Sequence, residues 1–567
     1  MQILSNKSVQ YTLTKRDLKW MILIVVLYGS VSFVRLGTFS NPQTFWNPSM
    51  ARERAVVSLN EVTSVSKVRH FTGPRSGIYK MYGSTDNKSF SYIGEMTQKK
   101  VFVWADTNIN YNLRYLAFIA DKNTSFMGDI ALYDKEGKKL HVYFETDNAQ
   151  VLVDEAEQVP DKISYLNSMY FDEIYHARTA YEHVHGMAAY EWTHPPLGKL
   201  IIGIPIGYFG MNPFAYRLMG NIAGILMLVV IYILAKRLFG SERSAILACV
   251  LLAVDGMHFV QTRIATVDSF LALFIMLSYL FMYQYLLCKE NERLGMKLSH
   301  LFFSGLFMGA AIATKWSGMY GALGLAIIFF VNLFKKYNQH HGTILPQRHT
   351  GIIIISCFVF FIVIPLGLYV LAYFPFFDVQ FNTEDKLGEF IKLQKAMYKY
   401  HAGLEASHPF ASPWYLWPLN IKPVWYYKGE VPKGFVATIA AMGNPIIWWS
   451  GIVAVFYTLK EAIYYKEQKN VYIVIAIFAL YLPYIFIDRV MFLYHYFPVV
   501  PFLILAIVKL LEGTASYFQK PDLFKWYGVA SGISFLFFYP IYSGMIVPKV
   551  YVILTRWLAD WQFYSGS

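Results

Sequence analysis

Three cysteines in 567 residues are too few for a disulfide framework. Cys249, Cys288 and Cys357 all lie in or at the ends of apolar runs and show no zinc-ligand spacing, which excludes a cross-braced secreted scaffold and makes cysteine chemistry a poor fit. Charge is scarce too. Asp, Glu, Lys and Arg make up 15% of the chain against 56% hydrophobic residues, and that balance excludes an ordinary soluble globular protein. No Walker loop, dinucleotide fingerprint, HExxH pair or zinc-ribbon spacing occurs, so nucleotide hydrolysis and zinc proteolysis have no support and no metal ligands are expected.

What the chain has instead is a series of apolar runs near the length needed to cross a bilayer, at 218–235, 244–260, 264–287, 299–313, 317–334, 350–374, 445–459, 470–487, 492–510 and 525–545. A further run, Trp20 to Val34, follows Lys15, Arg16 and Lys19 and reads as a signal peptide or an uncleaved anchor; no small-x-small cleavage site follows, so the anchor reading is preferred. The expectation is a polytopic α-helical membrane protein with about 11 transmembrane helices, the first over 20–37. The formal charge of +13 belongs to basic junctions such as Lys236-Arg237, Lys289 to Lys297, Lys335-Lys336, Lys460 to Lys469 and Lys509 to Lys525, a positive-inside pattern that needs no nucleic acid partner. Residues 1–19 become a cytoplasmic tail and 546–567 an extracytoplasmic one, in a multi-pass protein of the cell membrane. The weakest run, 299–313, carries the orientation of everything after it.

Between the anchor and the other spans, residues 38–161 change to short alternating runs punctuated by Gly, Asn and Asp, which predicts an extracytoplasmic β-sandwich. Residues 162–217 then carry Tyr170-Phe171-Asp172-Glu173-Ile174-Tyr175-His176 and, about twenty residues later, Thr193-His194-Pro195-Pro196-Leu197-Gly198-Lys199. As a helix, the first stretch places Tyr170, Ile174, Ala177, Tyr181 and Val184 on one face and Asp172, His176, Thr179 and His183 on another, an amphipathic pattern suited to the outer leaflet. The prolines then open a second helix with Lys199 in its first turns.

On spacing alone Asp172 and Glu173 read equally well as a solvated acidic pair. At an outer membrane surface, however, a carboxylate can take a proton from an acceptor hydroxyl while that oxygen attacks a sugar carbon. A departing phosphate needs cations, and Arg178, Lys199, Arg217, Arg263, Lys315 and Arg489 fall on the same predicted side. Arg217 reads either as a planar fork for phosphate or as a snorkelling helix-end residue. Asp255, His258, Arg263 and Asp268 crowd one short loop and are expected mainly as an ion-pair network. The long outer loop 376–444 is rich in aromatics and carries Gln394, His401, His408 and Trp414, as a cover over the site or as an interfacial belt.

Several ordered motifs carry a resemblance: Phe171-Asp172-Glu173, Thr193 to Lys199, Arg217-Leu218, Gln261-x-Arg263-Ile264-Ala265-x-x-Asp268, Thr314-Lys315-Trp316-Ser317-Gly318, Ser412-Pro413-Trp414-x-x-Trp417-Pro418, Gly443-Asn444-Pro445 and Tyr494-His495-Tyr496-Phe497-Pro498. Together the set resembles the bacterial protein O-mannosyltransferase family over roughly 165–510. The resemblance implies a class C glycosyltransferase fold, with the active site on the extracytoplasmic side. It also implies a polyprenyl-phosphate hexose as donor and Ser or Thr hydroxyls of exported proteins as acceptor. Asp172 would be the base, Glu173 its positioning partner and Arg217 a holder of the donor phosphate. His194, Lys199 and His495 would lie among the substrate-binding residues, and the anomeric centre would invert. No cofactor beyond the lipid-linked donor is implied, and divalent-metal dependence stays open. The β-sandwich, whose own pattern resembles a discoidin or galactose-binding-like jelly roll, is an insertion relative to the usual bacterial plan. Two alternatives remain: transfer to a lipid or cell-wall polymer, and a non-catalytic sugar-binding receptor.

Overall fold

The computed structural model describes residues 13–121, 126–339, 349–381 and 383–563; the other residues of the two expected tails, 1–12 and 564–567, lie outside them. The elements run α1 (Lys15–Phe33), β1 (Arg54–Thr72), β2 (Gly77–Ser84), β3 (Ser91–Gln98), β4 (Trp104–Ala120), β5 (Met127–Tyr133), β6 (Tyr143–Phe144), α2 (Glu173–Val184), α3 (Leu197–Phe209), α4 (Pro213–Phe239), α5 (Glu242–Ala253), α6 (Gly256–Thr262), α7 (Asp268–Leu287), α8 (Leu294–Thr314), α9 (Gly318–Gln339), α10 (Thr350–Phe358), α11 (Ile364–Tyr373), α12 (Phe377–Phe381), α13 (Lys386–Ala402), β7 (Val424–Lys428), β8 (Phe435–Ala441), α14 (Pro445–Tyr465), α15 (Gln468–Tyr481), α16 (Val500–Phe518), α17 (Leu523–Ser543), β9 (Ile546–Pro548) and α18 (Lys549–Leu554). They form two compact units, one of residues 35–190 with 202–219, the other of 1–34 with 191–201 and 220–567.

The first unit holds the β domain. Instead of the two facing sheets of a jelly-roll-like sandwich, its six strands make one sheet of order β3-β2-β4-β1-β5, with β6 also on β1. The reason lies in the two longest strands. β1 pairs with β4 from Arg54 to Phe71 but slips register between Ser58 and Thr63 and again between Val65 and Lys67, so the strands bend without ending. Past those irregularities β1 exchanges its other neighbour, β6 at Val57–Ser58 for β5 at Lys67–Thr72. One buried cluster serves both halves, with Ala55, Val57 and Leu59 alternating inward from β1 to meet Met81, Leu116 and Leu132.

α2 corrects a second expectation. Glu173, His176, Thr179 and Glu182 are buried while Tyr175 and Val184 are exposed, so the polar stripe turns inward. A helix whose charged groups find partners buries them at lower cost than an amphipathic leaflet helix would suggest.

Among the described residues, eight helices are long and apolar enough to cross a membrane, or nine if the bent pair α5–α6 is one span. About eleven were expected. The two remaining candidates, α1 and α17, form helices of 19 and 21 residues, but α1 opens on Lys15, Arg16, Asp17 and Lys19. Its start is fixed by a capping box between Thr14 and Asp17, and Asp17 pairs with Lys236 at 3.0 Å. The expected loop 376–444 is also more ordered than its composition suggested. It contains α13, capped by the Asp385 side chain on Gly388 N–H, and the hairpin β7–β8. β9, from the expected C-terminal tail, adds to β8 and closes a three-stranded sheet.

Candidate functional site

Asp172 is the N-cap residue of α2, and its carbonyl accepts the Tyr175 and His176 N–H groups at 3.0 and 3.1 Å. The residue before it, Phe171, has φ +48°, a left-handed conformation that costs a bulky residue of order 1 kcal/mol and marks the turn as constrained. Glu173, the next residue, enters a fully buried fork. Arg217 Nε and Nη2 donate to its two carboxylate oxygens at 2.6 and 2.7 Å. The remaining Arg217 protons go to the carbonyls of Leu36 (2.8 Å), Tyr165 (2.7 Å) and Ser168 (3.3 Å). All five guanidinium N–H groups therefore meet protein oxygens, so Arg217 here fixes Glu173 and the approach to α2 rather than presenting a fork to phosphate. Arg178 pairs with Glu182 at 3.0 Å and lies 3.6 Å over the Tyr190 ring.

In the other unit, the turn before α3 is organised by an acid the motifs did not single out. Glu191 accepts Lys199 Nζ at 2.6 Å and Thr193 N–H at 2.8 Å, and its Oε1 lies 3.1 Å from His194 Nδ1. Lys199 is thus turned to Glu191 and to the carbonyls of Glu191 and His194, at 2.7 and 2.9 Å. Glu191 is the only carboxylic residue between Glu182 and Glu242, which was the available signal.

His194 lines a cavity of about 630 Å³ together with four other predicted residues, Lys315, His401, Arg489 and His495. Thr193, Tyr320, Tyr398, Glu405, Tyr484 and Asp488 complete much of its wall and were not foreseen. The cavity is made where the turn at 193–195 before α3 meets three further stretches at helix ends. α8 closes at Lys315, α13 brings His401, and the turns between α15 and α16 bring Tyr484 to His495. Lys315 Nζ pairs with Asp268 at 2.8 Å, which fixes the cation at the start of α7. His401 donates Nε2–H to the Thr193 carbonyl at 2.7 Å and accepts an Arg489 N–H on Nδ1 at 2.8 Å. Burial, with His194, Arg489 and Lys315 nearby, brings the His401 pKa down to about 4, so the ring is neutral near pH 7. Burial lowers His194 as well, opposed by Glu191. His495 stacks on Trp417 with 5.8 Å between ring centres.

The other predicted residues stand behind or outside this wall. Gln394 accepts the Tyr369 hydroxyl at 2.6 Å, and Tyr369 in turn accepts Trp316 Nε1–H at 2.9 Å, so Gln394 braces a wall residue indirectly. His408 packs on Phe492 at 5.0 Å, and Trp414 on Tyr481 at 5.5 Å. Arg263 donates to the carbonyls of Ser32 and Val34 at 3.0 and 2.7 Å, satisfying the end of α1. The expected ion-pair network is largely a capping arrangement, because Asp255 accepts N–H groups of His258, Asn444 and Trp448 at 3.0, 3.0 and 2.9 Å. Among the described residues, the grouping able to hold a metal ion is Asp129, Asp154 and Glu155 in the β domain, with ligand atoms within 4.8 Å of one another. It includes none of the expected site residues, and burial pushes Asp129 up to about 8.

Comparison with known proteins places these features. A family model described as dolichyl-phosphate-mannose-protein mannosyltransferase matches residues 205–381, and one for the C-terminal four-helix region of protein-O-mannosyltransferase matches 386–561. The polyprenol-phosphate-mannose–protein mannosyltransferase of Mycolicibacterium smegmatis is 26% identical over 456 residues, covering 69% of this chain and 87% of the relative. The chain belongs to the protein O-mannosyltransferase family. As a protein O-mannosyltransferase family member it is a multi-pass membrane glycosyltransferase. The Corynebacterium glutamicum relative of the same name is 24% identical, covering 65% of this chain and 81% of its own. The class C glycosyltransferase fold is shared with a chain of the Saccharomyces cerevisiae Pmt1-Pmt2 complex, solved with the sugar donor bound, at a TM-score of 0.61 and 13% identity over 70% of this chain and 89% of that one. Both protein O-mannosyltransferase family models begin after the β domain.

Proposed function

We propose that this chain transfers mannose, or a related hexose, from a polyprenyl-phosphate donor to Ser or Thr hydroxyls of exported proteins at the extracytoplasmic face of the cell membrane. The observation that carries the reading is the family match joined to a polar cavity, lined by Lys315, Arg489 and the neutral His401, at the ends of apolar helices. A lipid-borne donor is presented at such a boundary, and cations there stabilise the leaving phosphate as its charge grows.

In the proposed reaction the acceptor Oγ attacks the anomeric carbon and the C1–O bond to phosphate breaks. The bonding pair leaves on the phosphate oxygen, and the Oγ proton passes to the Asp172 carboxylate. Attack opposite the phosphate inverts the centre. Phosphate leaves as an anion, so no general acid is required, and one base suffices. Glu173, locked by Arg217, holds the start of α2 and thereby Asp172. Lys315 and Arg489 are the proposed phosphate contacts.

The test uses purified full-length protein in detergent or nanodiscs, a synthetic polyprenyl-phosphate mannose and a Ser/Thr-rich peptide. Asp172→Asn is expected to lower turnover by about 10³-fold, the scale of losing a general base, with the thermal midpoint unchanged. Arg489→Ala is expected to raise the donor KM about tenfold. Undiminished turnover in Asp172→Asn would remove the base assignment, and absence of transfer by the wild type would remove the reading itself.

A further inference from the structure

The β domain carries a polar cluster that the transfer reaction does not use. Asp129, near the start of β5, is fully buried. Its Oδ1 accepts the Glu155 N–H at 3.0 Å, while its Oδ2 has no hydrogen-bond partner. An unsatisfied buried carboxylate oxygen is costly and calls for a positive or donating group. The side chain converges on two others, because one carboxylate oxygen each from Asp129, Asp154 and Glu155 lie within 4.8 Å of one another. A neutral oxygen adjoins them. Gln158 donates Nε2–H to Glu155 Oε1 at 2.9 Å, which fixes its amide orientation, and its own Oε1 is buried without a partner.

The protein offers this cluster only neutral donors. Gln43 and Thr44 N–H reach Glu155 Oε2 at 2.7 and 3.0 Å. The Thr44 hydroxyl stands 3.0 Å from that oxygen and 3.1 and 3.3 Å from the two oxygens of Asp154. A hydroxyl has one proton, so it satisfies one of those three acceptors. Lys139 comes to the same segment but gives its ammonium to the Ala156 carbonyl at 2.5 Å. Asp154, Glu155 and Glu157 all act on Asp129 as like charges. Anions crowded in this way, one of them out of water, are held together by a cation placed among them.

We propose that Asp129, Asp154 and Glu155 bind one calcium ion in the β domain. The donor set chooses the ion: oxygen ligands with no nitrogen or sulfur select a hard divalent cation. Calcium holds its oxygens at about 2.3–2.6 Å, so two ligands on opposite sides of it stand about 5 Å apart, and a cluster within 4.8 Å can share one ion. Magnesium demands a near-octahedral shell and keeps several waters, which the burial of Asp129 opposes. Asp154 is exposed and lets water complete the looser calcium shell. The ion ties together β5, the stretch at 43–44 and the segment at 154–155, three pieces of chain far apart in sequence. None of these residues belongs to the proposed transfer reaction, so the two readings stand or fall separately.

The test uses the full chain in a neutral detergent, stripped with a chelator and dialysed against radiolabelled calcium. The wild type is expected to bind one calcium per chain with a Kd of about 1 mM or tighter, the range of extracellular calcium modules, and magnesium at least tenfold more weakly. Because calcium binds the folded chain, about 5 mM of it is expected to raise the thermal midpoint by several degrees. Asp129→Asn alters a buried group and can misfold, so the deciding variant is Asp154→Asn, at an exposed position. Its midpoint in chelator is expected to match the wild type, its calcium affinity to fall at least tenfold and the calcium-induced shift to disappear. A wild type that neither binds calcium nor gains stability at 5 mM would overturn the proposal. Undiminished binding in both Asp154→Asn and Glu155→Gln would place the calcium elsewhere and overturn it too, and equal affinity for magnesium would overturn the choice of ion.

Discussion

Arg217 is the residue at which sequence and structure part most instructively. A guanidinium at the head of an apolar helix, in a chain that handles a phosphate, reads as a phosphate ligand from its chemistry alone. Its partner Glu173 lies 44 residues earlier and is fully buried, a pairing no local pattern could announce. Arg217→Lys keeps the charge but replaces a five-donor fork with a three-proton point charge, leaving Glu173 and several carbonyls short of partners. Disturbing such a buried pair costs about 3 kcal/mol. The expected outcome is a fall of several degrees in the thermal midpoint with the donor KM of the surviving folded enzyme within twofold of wild type. A tenfold rise in donor KM at unchanged midpoint would return Arg217 to the phosphate. Asp172 and His194 were legible as site candidates because their motifs are ordered along the chain. Glu191 was missed because an isolated acid carries no periodicity, and only the fold turns Lys199 and His194 onto it.

At the scale of elements, the apolar helices were legible because a bilayer-length run is a strong and local signal. α13 was less so. Its inward face is Phe390, Gln394, Met397 and His401, spaced four, three and four residues apart, but half polar, so the 3.6-residue period is diluted by the side chains that brace or line the cavity. The pairing of β8 with β9 joins segments about 110 residues apart, and nothing local fixes that register. Helix contact itself is set by small residues. A Cβ added at Gly305 in α8 would sit 2.1 Å from the Phe360 carbonyl oxygen, in the π-helical stretch Val359–Val363 between α10 and α11. Backbone cannot give way as a side-chain tip can. Gly305→Val is expected to cost about 2 kcal/mol or more. Tryptophan fluorescence should show a midpoint several degrees lower and a reduced folded yield. In the same helix Gly295 has nothing within 4 Å of an added Cβ, and Gly295→Ala is expected to leave the midpoint unchanged or slightly raised.

Across the helical unit, sidedness follows from where the cavity lies along the helices. α8 leads into Lys315, the turns after α15 into Asp488, and α16 leads away from His495, all three residues on the cavity wall. At 1.5 Å per residue the 21-residue α8 spans about 30 Å, so its other end, near Asn291, sits a bilayer's thickness away. Glu467 and Lys520 mark the corresponding far ends of α15 and α16. Those far ends carry Lys289, Lys297, Lys466, Lys469, Lys520 and Lys525, and a positive excess of this kind is characteristic of cytoplasmic loops. The proposed function calls for the cavity side to be the extracytoplasmic one, and this charge distribution favours that orientation. The three free cysteines, Cys249, Cys288 and Cys357, can be replaced to give a thiol-free background. In intact cells a membrane-impermeant maleimide is expected to label Ser407→Cys, an exposed position five residues past α13. Asn291→Cys, Glu467→Cys and Lys520→Cys, also exposed, are expected to react only after permeabilisation. Labelling of Asn291→Cys in intact cells, with Ser407→Cys protected, would invert the unit and place the cavity on the cytoplasmic side. Reaction of all four in intact cells would instead break the assignment of α8, α15 and α16 as parallel routes across one membrane.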